Sequence, residues 1–386
     1  MKTPYFLILE NELNANVMAF QNALKELWPN SKLAYSVKTN SLPWLLKYLK
    51  EKDALAEVVS DEEYQLARMC GYADSEIVYN GPIKGEEQFK SAVEGKAYIN
   101  LDSAKDLEYL AKYKGDTCEN IGIRVNVDSS VFSHEDIGYE EDGFRFGFAV
   151  ENGEFEKALH TIRDIYGVVK IGLHLHCNSI TRSLNVYREI ACYAANLIRK
   201  YNLELSFIDM GGGYFGGVEG KPTPKDYVTV IKNELSEVIN PEETKLIVEP
   251  GSAIVGSTVE LHTSVLDVKD TTHARIVTTD GSRIHIDPLW AKKRYMFSSN
   301  AQDDKKQPRQ IICGYTCMDH DRIMVLENEK ELQVGDEIVY HRVGAYSMTF
   351  GGMFIRYLPE VYVKSSQGVE KVRSQISVKD YLDIHS

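Results

Sequence analysis

Residues 171–210 contain Ile171-Gly172-Leu173-His174-Leu175-His176, then a helical pattern over Leu184–Tyr201, then Leu205-Ser206-Phe207-Ile208-Asp209-Met210. Two short apolar runs flanking one helix predict a parallel βαβ unit. The pattern repeats in both directions. Strands are predicted at Leu33–Val37, Leu55–Val59, Ile77–Asn80, Ala97–Leu101, Ile121–Val127, Ile171–His176, Leu205–Met210 and Leu246–Glu249. Further helices are predicted at Asp61–Cys70, Ala104–Tyr113 and Lys225–Ile239, the first opened by a capping box of Ser60 and Glu63 and closed by Gly71. Eight such strands in about 250 residues is the size of a (β/α)8 barrel, whereas an open doubly wound sheet would not need eight.

The texture changes after Gly256. Apolar runs at Val259–Val268, Ala274–Thr279, Gln310–Gly314, Arg322–Leu326, Glu337–Tyr340 and Glu360–Val363 follow one another with little helix between them. An antiparallel β domain is expected there. The expected division is a barrel over 11–255 and a C-terminal β domain over 256–386, joined by residues 1–10. Polar stretches at Asn126–Gly143 and Ser298–Arg309 read as long loops.

The 386 residues carry 57 Asp+Glu against 44 Lys+Arg, a net charge of −13, which argues against a nucleic-acid partner. A 43% hydrophobic content supplies enough apolar surface to exclude large-scale disorder. No apolar run approaches the roughly 18 residues of a membrane span. Met1-Lys2-Thr3-Pro4-Tyr5 lacks the apolar core of a signal peptide, so a cytoplasmic protein is expected. Cys70, Cys118, Cys177, Cys192, Cys313 and Cys317 are scattered, with neither a disulfide framework nor a zinc pattern.

In a (β/α)8 barrel the chemistry sits where the strands end. The first predicted strand puts Ala34, Ser36 and Lys38 on one face, leaving room below a lysine at the mouth. A desolvated lysine there suits Schiff-base chemistry; a surface lysine at a strand end is the plainer reading. Gly172, His174 and His176 share a strand face, and His174 reads best as a satisfied core histidine. Two histidines so placed could also bind metal, although no metal is expected. The seventh strand runs into Gly211-Gly212-Gly213, a turn whose N–H groups could close on a phosphate, and the eighth ends at Glu249. A lysine, a histidine, a glycine-rich turn and a carboxylate around one mouth fit pyridoxal phosphate.

With these pieces in order, the chain resembles the alanine-racemase-like enzymes that use pyridoxal phosphate, and within them the ornithine/diaminopimelate decarboxylase family. The matching segments are YSVKTN (35–40), EVVSDEE (57–63), IRVNV (123–127), FRFGF (144–148), HLHCNS (174–179), DMGGGY (209–214), VEPG (248–251), CMDHD (317–321) and VGAY (343–346). The resemblance implies that Lys38 bonds the cofactor's aldehyde and that His176 stacks on its ring. Ser179, Gly211, Gly212, Gly213 and Tyr346 would take the phosphate, and Glu249 would pair with the ring nitrogen. Arg124 would lie near the cofactor, holding Glu249 or the histidine, and Glu57 stands where the family often has Asp. Cys317 and Asp321 match the C-x-x-x-D motif, in which the partner subunit's cysteine sets the fate of the carbanion. A homodimer with shared sites follows, in lysine or polyamine metabolism.

Glu249 favours decarboxylation over racemisation, because the racemases resembled carry an arginine at that position. A non-catalytic cofactor-binding regulator resembles the barrel alone. Three departures bear on the substrate. Met318 replaces the acid that follows the cysteine, Ser252 replaces the arginine of E-P-G-R, and Asp287 replaces an arginine that binds the distal carboxylate of meso-diaminopimelate. An aspartate there is expected to attract an amine. The run Asp280-Gly281-Ser282 with His285 and Asp287, and Gly251-Ser252-Ala253, is loosely similar to carboxynorspermidine decarboxylases. A small diamino or conjugated amino acid other than meso-diaminopimelate is therefore the expected substrate.

Overall fold

A computed structural model describes residues 1–138, 142–167, 169–292, 294–302 and 304–386, so parts of both expected loops lie outside the described residues. The chain divides into two compact units, Asn16–Ile254 and Met1–Ala15 with Val255–Ser386. In chain order the elements begin with β1 (Tyr5–Leu9), α1 (Glu10–Leu27), β2 (Ser31–Ser36), α2 (Pro43–Glu51), β3 (Leu55–Val58) and α3 (Asp61–Met69). Next come β4 (Ile77–Tyr79), α4 (Glu86–Glu94), β5 (Tyr98–Leu101), α5 (Ala104–Lys112), β6 (Ile121–Asn126), β7 (Phe148–Ala149) and α6 (Glu154–Tyr166). Then follow β8 (Ile171–Leu175), α7 (Leu184–Tyr201), β9 (Leu205–Asp209), α8 (Pro224–Leu235), β10 (Lys245–Val248) and α9 (Ser252–Val255).

Eight strands of the larger unit pair in parallel in the order β5-β4-β3-β2-β10-β9-β8-β6, and β5 pairs β6 to close the barrel. The eight expected strands match these eight, with ends shifted by a residue or two. Helix starts are set by side-chain caps. Ser60 Oγ accepts from the Glu63 N–H at 3.2 Å, and Glu63 accepts from Val59, one residue before the cap, at 2.9 Å. Thr223 and Asp226 form a reciprocal box at α8, with Pro224 at its first position. Inside the barrel Ala34, Leu55, Val78, Tyr98, Phe207 and Ile247 make one buried cluster. Gly172 faces Phe207 so closely that a Cβ there would lie 2.0 Å from the ring.

The smaller unit adds β11 (Val259–Asp270), β12 (Arg275–Thr279), α10 (Arg283–Ile286), β13 (Met296–Ser299), β14 (Lys306–Cys313) and β15 (Arg322–Lys330). It ends with β16 (Glu337–His341), β17 (Glu360–Ser365), β18 (Gly368–Arg373) and α11 (Val378–His385). Its sheet runs β15-β14-β12-β11-β1-β17-β18, with β16 bridging β11 and β13. The sheet is mixed rather than antiparallel, because β1 pairs β17 and β12 pairs β14 in parallel. The expected loop Ser298–Arg309 is narrower, because β13 enters from one side and β14 from the other.

Candidate active site

The buried cluster fixes which strand face points inward. Two residues beyond each member, the same face carries a polar side chain at the strand's C-terminal end. The pairs are Ala34 with Ser36, Leu55 with Glu57, Val78 with Asn80, Tyr98 with Asn100, Phe207 with Asp209, and Ile247 with Glu249. Gly122 with Arg124 and Gly172 with His174 share that alternation. An apolar floor therefore lies under a polar layer at the mouth.

Lys38 follows β2 on a short 3-10 turn, Val37–Thr39, rather than on the strand itself. Its Nζ meets Glu57 Oε2 at 2.7 Å. Burial alone would raise Glu57, but Lys38, Ser36 and Asn80 together hold it below the usual carboxylate range. Asn80 Nδ2 donates to Glu57 Oε1 at 3.0 Å and to Glu249 Oε1 at 2.6 Å, so one amide ties the two carboxyls. Asn100 Nδ2 in turn donates to Asn80 Oδ1 at 2.9 Å and to Asp209 Oδ2 at 3.2 Å. Burial, then Asp209 and Glu57, raises Glu249 well above its ordinary value. Burial pushes Asp209 up to about 7. Both buried carboxyls thus lie above the ordinary carboxylate range.

His174 Nε2 lies 3.7 Å from Glu249 Oε2. It is buried as expected but not satisfied, since neither ring nitrogen has a hydrogen-bond partner. Burial, then Arg124, lowers His176 to about 3, so its ring is neutral. The Gly212 N–H donates to His176 Nδ1 at 3.3 Å, which leaves the ring proton on Nε2. Arg124, expected to hold Glu249 or the histidine, hydrogen-bonds neither of them among the described residues. The nearest carboxylate stands at the end of the neighbouring strand, and Arg124 Nη1 pairs with Asp102 at 3.2 Å. His174, Asp209 and Glu249 place ligand atoms within 4.8 Å of one another, whereas the two histidines of one strand face do not form such a group among the described residues.

Gly211 and Gly213 have φ of +60° and +91°, and a Cβ on Gly211 would meet the His176 side chain at 2.5 Å. The Gly211 N–H is taken by Asp209 Oδ1 at 3.0 Å. With Gly212 spent on His176, the first two glycines fix the acid and the histidine, and only the third keeps an N–H for an anion. Ser179 Oγ accepts from the Arg182 N–H at 3.0 Å.

The smaller unit carries the other expected residues. Cys317 is exposed, and so is Tyr346, at φ +54°. Asp321 is buried, and its carboxylate accepts from Ser282 Oγ at 2.9 Å, Thr316 Oγ1 at 2.7 Å and the Arg283 N–H at 3.1 Å. That geometry makes it an anchor of the Cys317 loop and corrects the expected substrate contact. Asp287 is also buried and saturated, by Arg283 at 3.0 Å, the Lys292 N–H at 2.8 Å, the Ala291 N–H at 3.1 Å and Tyr295 at 3.0 Å. Burial would raise its acid, and these donors hold it low instead. It therefore offers no open acceptor to an amine, which corrects the expectation of amine recognition.

The mouth suits a pyridine with a phosphate. A buried acid raised well above its ordinary value stands beside His174, whose ring nitrogens have no hydrogen-bond partner, a lysine faces the same layer, and a glycine turn closes against His176. Asn80, Asn100, Asp102 and Asp209 were not expected as site residues, although period two applied to every strand points to three of them.

A family model for the pyridoxal binding domain of pyridoxal-dependent decarboxylases matches residues 11–256. A diaminopimelate decarboxylase of Archaeoglobus fulgidus is 28% identical over 368 residues, covering 91% of this chain and 85% of that protein. A probable chloroplastic diaminopimelate decarboxylase of Oryza sativa subsp. japonica is 26% identical over 399 residues, covering 99% and 79%. The crystal structure of the M. jannaschii diaminopimelate decarboxylase with L-lysine has a TM-score of 0.85 at 22% identity, covering 100% of this chain and 92% of that one, which shows a common fold. This chain belongs to the pyridoxal-dependent decarboxylase family, and its cofactor is pyridoxal phosphate.

Proposed function

We propose that this decarboxylase acts on a small amino acid, diamino or conjugated, other than meso-diaminopimelate, and works as a homodimer whose sites each draw on both copies. The carrying observation, which bears on meso-diaminopimelate, is that position 287 is an aspartate and presents no guanidinium for a distal carboxylate. Met318 agrees, as it replaces the acid that follows the cysteine in the family resembled. A second reading, meso-diaminopimelate itself, is favoured by the names of the curated relatives.

Pyridoxal phosphate, bonded through its aldehyde, supplies the electron sink that lets an α-carboxylate leave as CO2. Lys38 would make that bond, and Glu57 holds its Nζ at the mouth. Glu249, braced by Asn80 and Asp209, would hold a proton against the ring nitrogen. His176, neutral and pinned by Gly212, would lie against the ring face. Ser179 and the Gly213 N–H would meet the phosphate. Exposed Cys317 and Tyr346 would serve a second copy, the thiol supplying a proton to the carbon that CO2 leaves. No helix among the described residues is long and apolar enough to cross a membrane.

The test is CO2 release from a panel of free and conjugated diamino acids with meso-diaminopimelate included. Turnover on a panel member with at most traces on meso-diaminopimelate is the expected result. Preference for meso-diaminopimelate would establish the second reading, and racemisation without CO2 would overturn both.

A further inference from the structure

We propose that Arg182 is the cation that binds the cofactor's phosphate in this chain, in place of the arginine missing at Ser252. Its guanidinium reaches the substituted position itself, where Nη1 donates to Ser252 Oγ at 3.2 Å. Its backbone N–H donates to Ser179 Oγ at 3.0 Å, so one residue spans both serines. The Tyr227 hydroxyl fixes its carbonyl at 2.7 Å, and the Phe215 N–H donates to the same hydroxyl at 3.4 Å. The guanidinium lies 5.5 Å from the Phe215 ring centroid, two residues beyond Gly213. Arg182 is thus held from three sides against the end of the glycine turn.

Its charge has no carboxylate partner among the described residues, although acids outnumber bases in this chain. Three cations at the mouth are paired, Lys38 with Glu57, Arg124 with Asp102 and buried Lys84 with Asp106. Arg182 is half-buried, and its guanidinium meets a neutral hydroxyl and an aromatic ring. A dianionic phosphate is the counter-ion this arrangement lacks. The need is sharpened by the turn, because Asp209 and His176 already take the Gly211 and Gly212 N–H groups. Serine at 252 then has a purpose. It is short enough to leave the guanidinium room and polar enough to orient it.

The experiment compares pyridoxal phosphate with pyridoxal, which lacks the phosphate, by absorbance titration of the full-length protein stripped of cofactor. Arg182→Ala is expected to weaken pyridoxal phosphate at least tenfold and to change pyridoxal less than twofold. Arg182→Lys should keep most of the preference. Arg182→Ala with Ser252→Arg should regain it, because the cation returns from the other side. Lys221, exposed and 5.3 Å from the other cation's ring partner Phe215, is the control, and Lys221→Ala should leave both affinities unchanged. Equal weakening of both compounds would show a structural role and overturn the assignment, as would unchanged affinity for both. Should Arg182→Ala not fold, Arg182→Gln and the double variant carry the same comparison.

Discussion

Glu249 is buried and its Oε1 accepts from Asn80 Nδ2 at 2.6 Å, and an amide of the same shape keeps that acceptor. Glu249→Gln is therefore expected to fold normally and to retain pyridoxal phosphate. It has no proton to place on a ring nitrogen, and turnover should fall about 10²-fold or more. Absorbance of the bound cofactor and CO2 release check the two halves, and unchanged turnover would contradict the role. Lys38, His176 and Glu249 were legible because each sits in a motif at a strand end. Asn80, Asn100 and Asp209 were not, since a lone polar residue closing a strand has a plain local explanation. Their function depends on neighbours brought together only when β5 meets β6. Asp287 and Asp321 misled for the opposite reason. Their types suited a substrate contact, but local donors in the folded unit consume both carboxylates.

At the scale of elements, the barrel was legible because its strands are short, apolar and separated by well-capped helices. The expected β14–β15 arm is shorter than the real one, because before Gln310 and after Leu326 the strands turn polar. Arg309 faces Glu327 and Gln307 faces Glu329, so no period of two marks the strand. β18 has no fully buried residue and α11 none either, which removes the pattern that would announce them. Inside the barrel, Gly172 is fixed by the Phe207 ring lying over it. Gly172→Ala should destabilise the protein by roughly 1–3 kcal/mol through overpacking. Thermal unfolding measures this, and Phe207→Leu placed alongside should recover part of the loss. An undiminished melting temperature would mean that the floor is looser than the geometry says.

For the whole molecule, the proposed chemistry draws on a barrel that carries Lys38 and Glu249 and on a β unit that exposes Cys317 and Tyr346. A two-fold dimer makes any exchange between copies reciprocal. Lys38→Ala and Cys317→Ala, each inactive alone, should complement when mixed. At full exchange about half of the protein is heterodimer with one intact site in two, so about a quarter of wild-type activity should return. No recovery, with mixed dimers seen by mass spectrometry, would put each site within one chain. All of this rests on the eight strand ends forming one cofactor site with Lys38 at its mouth. Borohydride reduction of the purified holoenzyme fixes the cofactor to the lysine that holds it, and peptide mapping then reads the position. The pyridoxyl mark on Lys38 is the expected result, and a mark on any other lysine would contradict it.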